Sequence, residues 1–267
     1  PNFIKRIMFL KELIEKNTFD KDGYVLLDTS LTNDFDFDNL INEIEACVLE
    51  EVKDPSIKKL GGYIMGNFGI NQGPFGSKLY SLVFQNEFIN YFEKLTSKKL
   101  DLFDINYGGN LTLPKKGIQQ FHTDGTHLQE MYLVSIATED ITSENGPTEV
   151  CVGSHLKPMT YDEFFFSKKN KKKLMMKKGQ ILIRKHSLWH RGTKNFSNKP
   201  RLLLSFVMIP KIRNVKLELK SDKFKILANF FRNDFTGRIH ETIYAKFGFL
   251  IIFSKLFLSI SKKIFNK

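Results

Sequence analysis

Alternating apolar and polar positions predict that the middle of the chain is built mainly from β-strands. Short runs rich in apolar and β-branched residues recur between turn-forming residues, which is typical of antiparallel all-β domains. The predicted strands are 102–113, 129–138, 147–152, 180–185 and 201–209. The run at 201–209 is apolar throughout, as expected of a strand buried on both faces.

Helical periodicity predicts helices that flank these strands. Residues 2–15 repeat apolar side chains at helical spacing, as does the segment 37–53, for which Asp36 is a possible N-cap. The segment 77–96 is a third candidate helix. No linker or internal repeat divides the 267 residues, so we expect a single domain over 1–267 with its core at about 19–210.

Two histidines, one aspartate and one arginine indicate the chemistry. His122 and Asp124 stand in FHTDGTH, where alternate side chains of a strand project together, and His190 follows the predicted strand 180–185. Two imidazoles and one carboxylate form the ligand set of a non-heme Fe(II) oxygenase. Arg201 lies eleven residues after His190 and suits a carboxylate co-substrate. We expect His190 and Arg201 on adjacent antiparallel strands, joined by a turn-rich link.

The other histidines fit a ligand role less well. His127 is predicted near the cavity mouth, where substrate contact and simple solvation are both open. His186 has no arginine eleven residues after it, and His240 lies in a basic segment where solvation is expected.

Several blocks around these residues resemble the phytanoyl-CoA dioxygenase superfamily. The blocks are 19–25 (FDKDGYV), 110–117 (NLTLPKKG), 119–124 (QQFHTD), 145–155 (NGPTEVCVGSH) and 190–201 (HRGTKNFSNKPR). Three details depart from the family pattern. Val152 stands in place of a proline, and Arg191 stands in place of a glycine. The tryptophan that the family often has between its HxD motif and its Asn-Gly loop is absent. The resemblance covers roughly three quarters of the chain, from about 19 to 210.

The resemblance implies a mainly β fold with flanking helices around a double-stranded β-helix, the jelly-roll or cupin-like core. It also implies Fe(II) held by His122, Asp124 and His190, with 2-oxoglutarate and O2 as co-substrates. Arg201 would bind 2-oxoglutarate, and Asn110, Ser135 and Gln119 occupy positions where relatives contact it or line the cavity.

The implied reaction is hydroxylation of an unactivated C–H bond, with succinate and CO2 as co-products. The carboxylate of Asp124 favours this outcome over halogenation, because related halogenases lose that ligand. The alternative is a non-catalytic jelly-roll protein that holds a metal at a membrane surface.

Positive charge is concentrated in two segments of a chain whose net charge is +12. The run 168–178 has seven lysines and no acidic residue, and 211–267 has 13 basic against four acidic residues. The run is expected to be a solvated loop or to attract an anionic substrate. The segment 247–267 is predicted to be an amphipathic helix, which either packs on protein or lies at a membrane interface. Nucleic acid is not expected, because the basic runs lack motif context.

Cysteine content indicates a reducing compartment. Cys47 and Cys151 are too few for a disulfide framework, and no secretory signal is evident. We therefore expect a cytoplasmic enzyme, with peripheral contact at the inner membrane face as an option, that acts on an anionic or lipid- or sugar-linked small molecule.

Overall fold

The computed structural model describes residues 12–28, 35–53, 66–70, 74–115, 119, 121–124, 130–211 and 225–227. His127, His240, the start of the predicted helix 2–15 and the segment 247–267 lie outside the described residues. No helix in the described ranges is both long and apolar enough to cross a membrane.

The described strands form two antiparallel sheets. They are β1 (Tyr24–Leu27), β2 (Gly66–Ile70), β3 (Phe103–Thr112), β4 (Tyr132–Ala137), β5 (Thr148–Cys151), β6 (Lys171–Leu174), β7 (Ile181–Lys185), β8 (His190–Gly192), β9 (Arg201–Pro210) and β10 (Lys225–Leu227). The larger sheet has the order β1-β7-β4-β9-β3-β2-β10 and the smaller one β6-β5-β8. Two antiparallel sheets with these crossovers form the jelly-roll core, so the predicted fold class is confirmed.

All the predicted strands are present; four are shorter than predicted, and β9 extends one residue further, to Pro210. The pattern missed β1, β2, β6, β8 and β10, each of which has at most five residues. The expectation of a solvated loop at 168–178 was wrong for its centre, because Lys171–Leu174 pairs with Thr148–Cys151. Lysine can occupy this strand because β6 is an edge strand whose side chains reach water.

The helices differ from the predicted ones at their ends. They are α1 (Glu12–Asp22), α2 (Phe35–Val52), α3 (Pro74–Val83), α4 (Asn86–Thr96) and α5 (Tyr161–Phe166). The segment predicted as one helix at 77–96 is divided, because Gln85 adopts an extended conformation before α4. Asp36 lies within the first turn of α2 and does not precede the helix. The helix α1 ends at Asp22, and the next residue, Gly23, has a left-handed φ of 88°.

The two faces of the larger sheet have different environments. On β9, Leu202, Leu204, Phe206 and Met208 belong to the main apolar core with residues of α2, α3 and α4. Because strand side chains alternate, Arg201, Leu203 and Ser205 project from the opposite, inner face. Leu203 packs there with Val150 of the smaller sheet. The inner face is therefore where the two sheets meet and where polar side chains are placed.

His190 and Arg201 lie on different sheets, which corrects the expectation of adjacent strands. β8 pairs with β5, whereas β9 pairs with β3 and β4. The link between them crosses from one sheet to the other and is fastened by an isolated bridge between Asn195 and Asn145. The two side chains approach the space between the sheets from opposite sides.

The packing on the outer face predicts that Phe206→Ala destabilises the protein by about 3–5 kcal/mol. Phe206 is fully buried and makes edge-to-face contacts with Phe84 and Tyr107, with ring centroids 4.9 and 5.3 Å away. The free energy of unfolding in urea measures the effect. Phe196→Ala is the matched control, because Phe196 is 50% exposed and its loss should cost less than about 1 kcal/mol. Equal losses in the two variants would contradict this account of the core.

Candidate metal centre

His122, Asp124 and His190 converge at the inner face of the smaller sheet. One ligand atom from each lies within 4.8 Å of the others. Nε2 of His122 is 3.8 Å from Oδ1 of Asp124, and Nε2 of His190 is 3.6 Å from Oδ2. The two imidazole rings have centroids 4.4 Å apart. The three side chains predicted as ligands are therefore brought together.

Backbone hydrogen bonds fix this convergence. The amide nitrogens of His122 and His190 each donate to the other residue's carbonyl oxygen at 2.9 Å. The amide of Asp124 donates to the carbonyl oxygen of His186 at 3.1 Å. The predicted regular strand through His122 and Asp124 is thus reduced to an isolated bridge followed by a bend.

His190 is held in the neutral form with its Nε2 available. Burial, together with the nearby Arg184 guanidinium, lowers the pKa of His190 to about 3. Nδ1 lies 2.9 Å from the carbonyl oxygen of Leu188, so this nitrogen carries the proton and donates. The lone pair of the neutral ring is then on Nε2, which faces Asp124.

Asp124 is held ionised by an arginine that the sequence did not single out. Burial alone would raise the pKa of Asp124, but the Arg184 guanidinium and then the two imidazoles hold it well below its usual range. Nη2 of Arg184 donates to Oδ2 of Asp124 at 2.6 Å. One signal in the sequence was available, namely an arginine directly after the apolar run of the strand ILIRK.

This donor set fits divalent iron. Two imidazoles and one ionised carboxylate, on one side of a shared space, match the facial triad that leaves coordination positions open. His190 and Asp124 need no deprotonation before a metal binds, because His190 is neutral and Asp124 is charged already.

Arg201 lies on β9 and is buried, with 2% of its surface exposed. Its Nη2 donates to Oγ1 of Thr112 and to the carbonyl oxygen of Gly146, both at 2.9 Å. Nε and Nη1 are buried and have no acceptor among the described residues. Burial lowers the pKa of Arg201 to about 10, so it remains a cation at neutral pH. A buried cation with unused donors suits a carboxylate ligand.

The loop before β5 holds the partner of Arg201 in place. Asn145 accepts from the amide of Thr142 at 2.8 Å, and its Nδ2 donates to the carbonyl oxygen of Asp140 at 2.8 Å. Gly146 follows with φ of 84°, and a Cβ there would lie 2.8 Å from the carbonyl oxygen of Thr193. The Asn-Gly pair is therefore required by backbone geometry, because a larger residue at Gly146 would move the carbonyl that binds Arg201.

The other predicted contact residues occupy distinct places. Ser135 is buried on the inner face, with its Oγ 3.0 Å from the Oγ of Ser205. Asn110 lies on β3, directly opposite Leu203 of β9. Oε1 of Gln119 accepts from the amide of Gly192 at 2.8 Å, so this side chain fastens β8. The roles of Asn110, Ser135 and Gln119 toward a co-substrate stay predictions.

His186 is a structural neighbour of the centre. It is buried, and its Nδ1 lies 2.9 Å from the carbonyl oxygen of Met131. Its ring nitrogen thereby contacts the residue just before β4, and its own carbonyl oxygen accepts from the amide of Asp124.

A jelly roll with a 2-His-1-carboxylate cluster and an inward arginine defines the class of non-heme iron oxygenases. The model of the phytanoyl-CoA dioxygenase (PhyH) family matches residues 19–203, and the chain belongs to this family. It is accordingly an Fe(II)- and 2-oxoglutarate-dependent dioxygenase, with O2 as the second co-substrate.

Solved structures share this fold at low sequence identity. The epimerase SnoN, solved with Fe3+, alpha ketoglutarate and nogalamycin RO, is 15% identical with a TM-score of 0.58 over 81% of this chain and 98% of its own. EctD from S. alaskensis, solved with 2-oxoglutarate and 5-hydroxyectoine, is 17% identical with a TM-score of 0.56 over 74% of this chain and 76% of its own. The carbocyclase SnoK from nogalamycin biosynthesis is 17% identical with a TM-score of 0.56 over 74% of this chain and 83% of its own.

The geometry around Gly146 predicts that Gly146→Ala weakens 2-oxoglutarate binding. A left-handed residue with a Cβ costs about 1–2 kcal/mol, and the added contact with Thr193 displaces the carbonyl that orients Arg201. The KM for 2-oxoglutarate and the free energy of unfolding should both be measured. Gly153→Ala is the matched control, because Gly153 has φ of 75° and no contact with Arg201. It should lose similar stability with an unchanged KM, and a raised KM in both variants would refute the argument.

Proposed function

We propose that this chain hydroxylates an unactivated C–H bond of an anionic or lipid- or sugar-linked small molecule, releasing succinate and CO2. The observation that carries the proposal is the buried Arg201, whose Nε and Nη1 have no acceptor among the described residues. A jelly roll that only stored a metal would have no use for such an arginine. A dicarboxylate bound to the metal at one end would satisfy it at the other.

Each residue has a definite task in this proposal. His122, Asp124 and His190 hold the metal, and Arg201 orients the far carboxylate of 2-oxoglutarate, with Thr112 and Gly146 keeping the guanidinium in place. Iron with 2-oxoglutarate and O2 supplies the oxidising power that breaks the C–H bond. The protein contributes orientation, with His190 and Arg201 buried and the side chains of His122 and Asp124 36% and 28% exposed.

Asp124 is the reason to prefer hydroxylation. Its carboxylate fills the position that a halide would need, so halogenation is disfavoured. The epimerase and carbocyclase among the similar structures indicate that the same fold serves other oxidative outcomes, and product analysis must decide among them.

Charge near the smaller sheet supports an anionic substrate. β6 carries three exposed lysines and is separated from β8, which bears His190, only by β5. Lysines in such a position would raise the local concentration of anions at the surface of the smaller sheet.

We expect succinate formation that requires both Fe(II) and 2-oxoglutarate and is lost in His122→Ala, because one of three ligands is removed. Arg201→Lys should keep turnover but raise the KM for 2-oxoglutarate by at least about tenfold, because lysine keeps the charge without the planar donor array. Succinate release over time measures both effects. Full turnover in His122→Ala would refute the ligand assignment.

The sequence of 247–267 supports peripheral membrane contact from the cytoplasmic side, with lysines facing anionic headgroups. Deletion of 247–267 should abolish co-sedimentation with vesicles containing anionic lipid and leave succinate formation on a soluble substrate unchanged. Vesicles of neutral lipid are the control. Unchanged sedimentation of the deleted form would refute the membrane role.

A further inference from the structure

Arg184 brings a second buried cation to the metal centre. It lies on β7 beside the buried Leu182 and Ile183, and its side chain is only 7% exposed. Its Nη2 is 2.6 Å from Oδ2 of Asp124, and its Nη1 is 3.4 Å from Nδ1 of His190. Since Nδ1 of His190 donates to Leu188, the contact with Nη1 adds no hydrogen bond, and Asp124 is the anion that compensates the guanidinium.

Because of this ion pair, the two carboxylate oxygens of Asp124 have different partners. Oδ2 accepts a hydrogen bond from Arg184 at 2.6 Å and also lies 3.6 Å from Nε2 of His190, whereas Oδ1 lies 3.8 Å from Nε2 of His122. A metal ion held by both histidines would therefore meet one oxygen, Oδ2, whose lone pairs are partly used by Arg184, and a second oxygen, Oδ1, that is not paired with the guanidinium. A carboxylate without this partner can chelate a metal through both oxygens, and the second bond would occupy a position that a chelating co-substrate needs.

The same pair changes the charge of the centre. A single carboxylate ligand reduces the charge of a divalent ion from +2 toward +1, and the guanidinium of Arg184 offsets that reduction. In a site of low dielectric constant, one unit of charge at close range strongly affects the binding of an anion. Both effects favour a dianion that must take two coordination positions.

We propose that Arg184 is a positioning residue that keeps Asp124 a one-oxygen ligand and keeps the centre positive enough to bind a dicarboxylate. The inference rests on the proposed function, in that it takes His122, Asp124 and His190 as the metal ligands. It assigns Arg184 to co-substrate affinity rather than to metal affinity.

A merely structural ion pair would behave differently. If Arg184 only stabilised the fold around Asp124, its loss would distort the ligand and weaken metal and co-substrate together. On our proposal the two affinities separate, because a freed carboxylate holds the metal at least as well while it obstructs 2-oxoglutarate.

The test is Arg184→Met, which keeps an apolar stem of similar length without the charge. Mn(II) serves as a redox-stable substitute, its affinity measured by the loss of the free-ion EPR signal. Titration of 2-oxoglutarate into Mn(II)-loaded protein by calorimetry gives the second affinity. We expect Mn(II) to bind at least as tightly as in the wild type and 2-oxoglutarate to bind about 10- to 100-fold more weakly, the order of magnitude expected when one positive charge close to a bound anion is removed.

Arg191→Met is the matched control. Arg191 is next to His190 and donates from Nη2 to Glu149 at 2.6 Å, but it projects from the opposite face of β8. Its loss should leave both affinities unchanged. Arg184→Lys retains the positive charge and should preserve most of the affinity for 2-oxoglutarate, and it provides the comparison if Arg184→Met does not fold.

The outcomes separate the two levels of inference. Wild-type protein that binds neither Mn(II) nor 2-oxoglutarate would overturn the proposed function itself. Wild-type binding with equal losses of both affinities in Arg184→Met, or with no loss at all, would overturn only the role of Arg184. A loss of 2-oxoglutarate affinity in Arg184→Lys as large as that in Arg184→Met would also overturn it.

Discussion

Two buried guanidinium groups on the inner face of the larger sheet are the constraint around which the site is organised. A charge taken out of water is costly unless it is paired, so each arginine must find an anion between the sheets. Arg184 finds it in Asp124, at 2.6 Å. Arg201 donates only to neutral groups through Nη2, its Nε and Nη1 find no acceptor among the described residues, and Glu139 acts on it through charge without accepting a hydrogen bond from it. The first arginine is therefore satisfied within the described part of the chain, and the second favours binding of an external carboxylate.

The jelly roll makes this arrangement possible because its sheets supply different parts. The larger sheet carries both arginines, and its outer face is stabilised by the helices and a continuous apolar core. The smaller sheet carries His190 and holds His122 through a two-way backbone bridge. The Asn145–Asn195 bridge joins the loops that lead into β5 and toward β9. A single residue such as Gly146 can therefore affect the site, because its backbone carbonyl oxygen accepts a hydrogen bond from Arg201.

The sequence indicated which three side chains the fold brings together, but it did not indicate their surroundings, because the surrounding contacts join residues that are distant in sequence. His122 and Asp124 are close in sequence, and their residue types already restrict the chemistry. Arg184 has an ordinary position in its own strand, and its importance comes from an ion pair with a residue that is distant in sequence. The long strand β9 was predictable because its ten residues, most of them apolar, form a clear pattern. Strands such as β8 extend over only three residues and are defined by pairing partners, which a single sequence does not display.

Most lysines of the run at 168–178 have a structural role, which limits what their charge says about the substrate. Five of its seven lysines have an identified partner: Lys169, Lys171 and Lys172 lie over aromatic rings, and Lys177 and Lys178 pair with aspartates. The exposed lysines of β6 also discourage a second chain from pairing with the free edge of the smaller sheet. Much of the positive charge is therefore explained by the architecture alone. The case for an anionic substrate depends less on the number of lysines than on the place of β6, which is separated only by β5 from β8 and its His190.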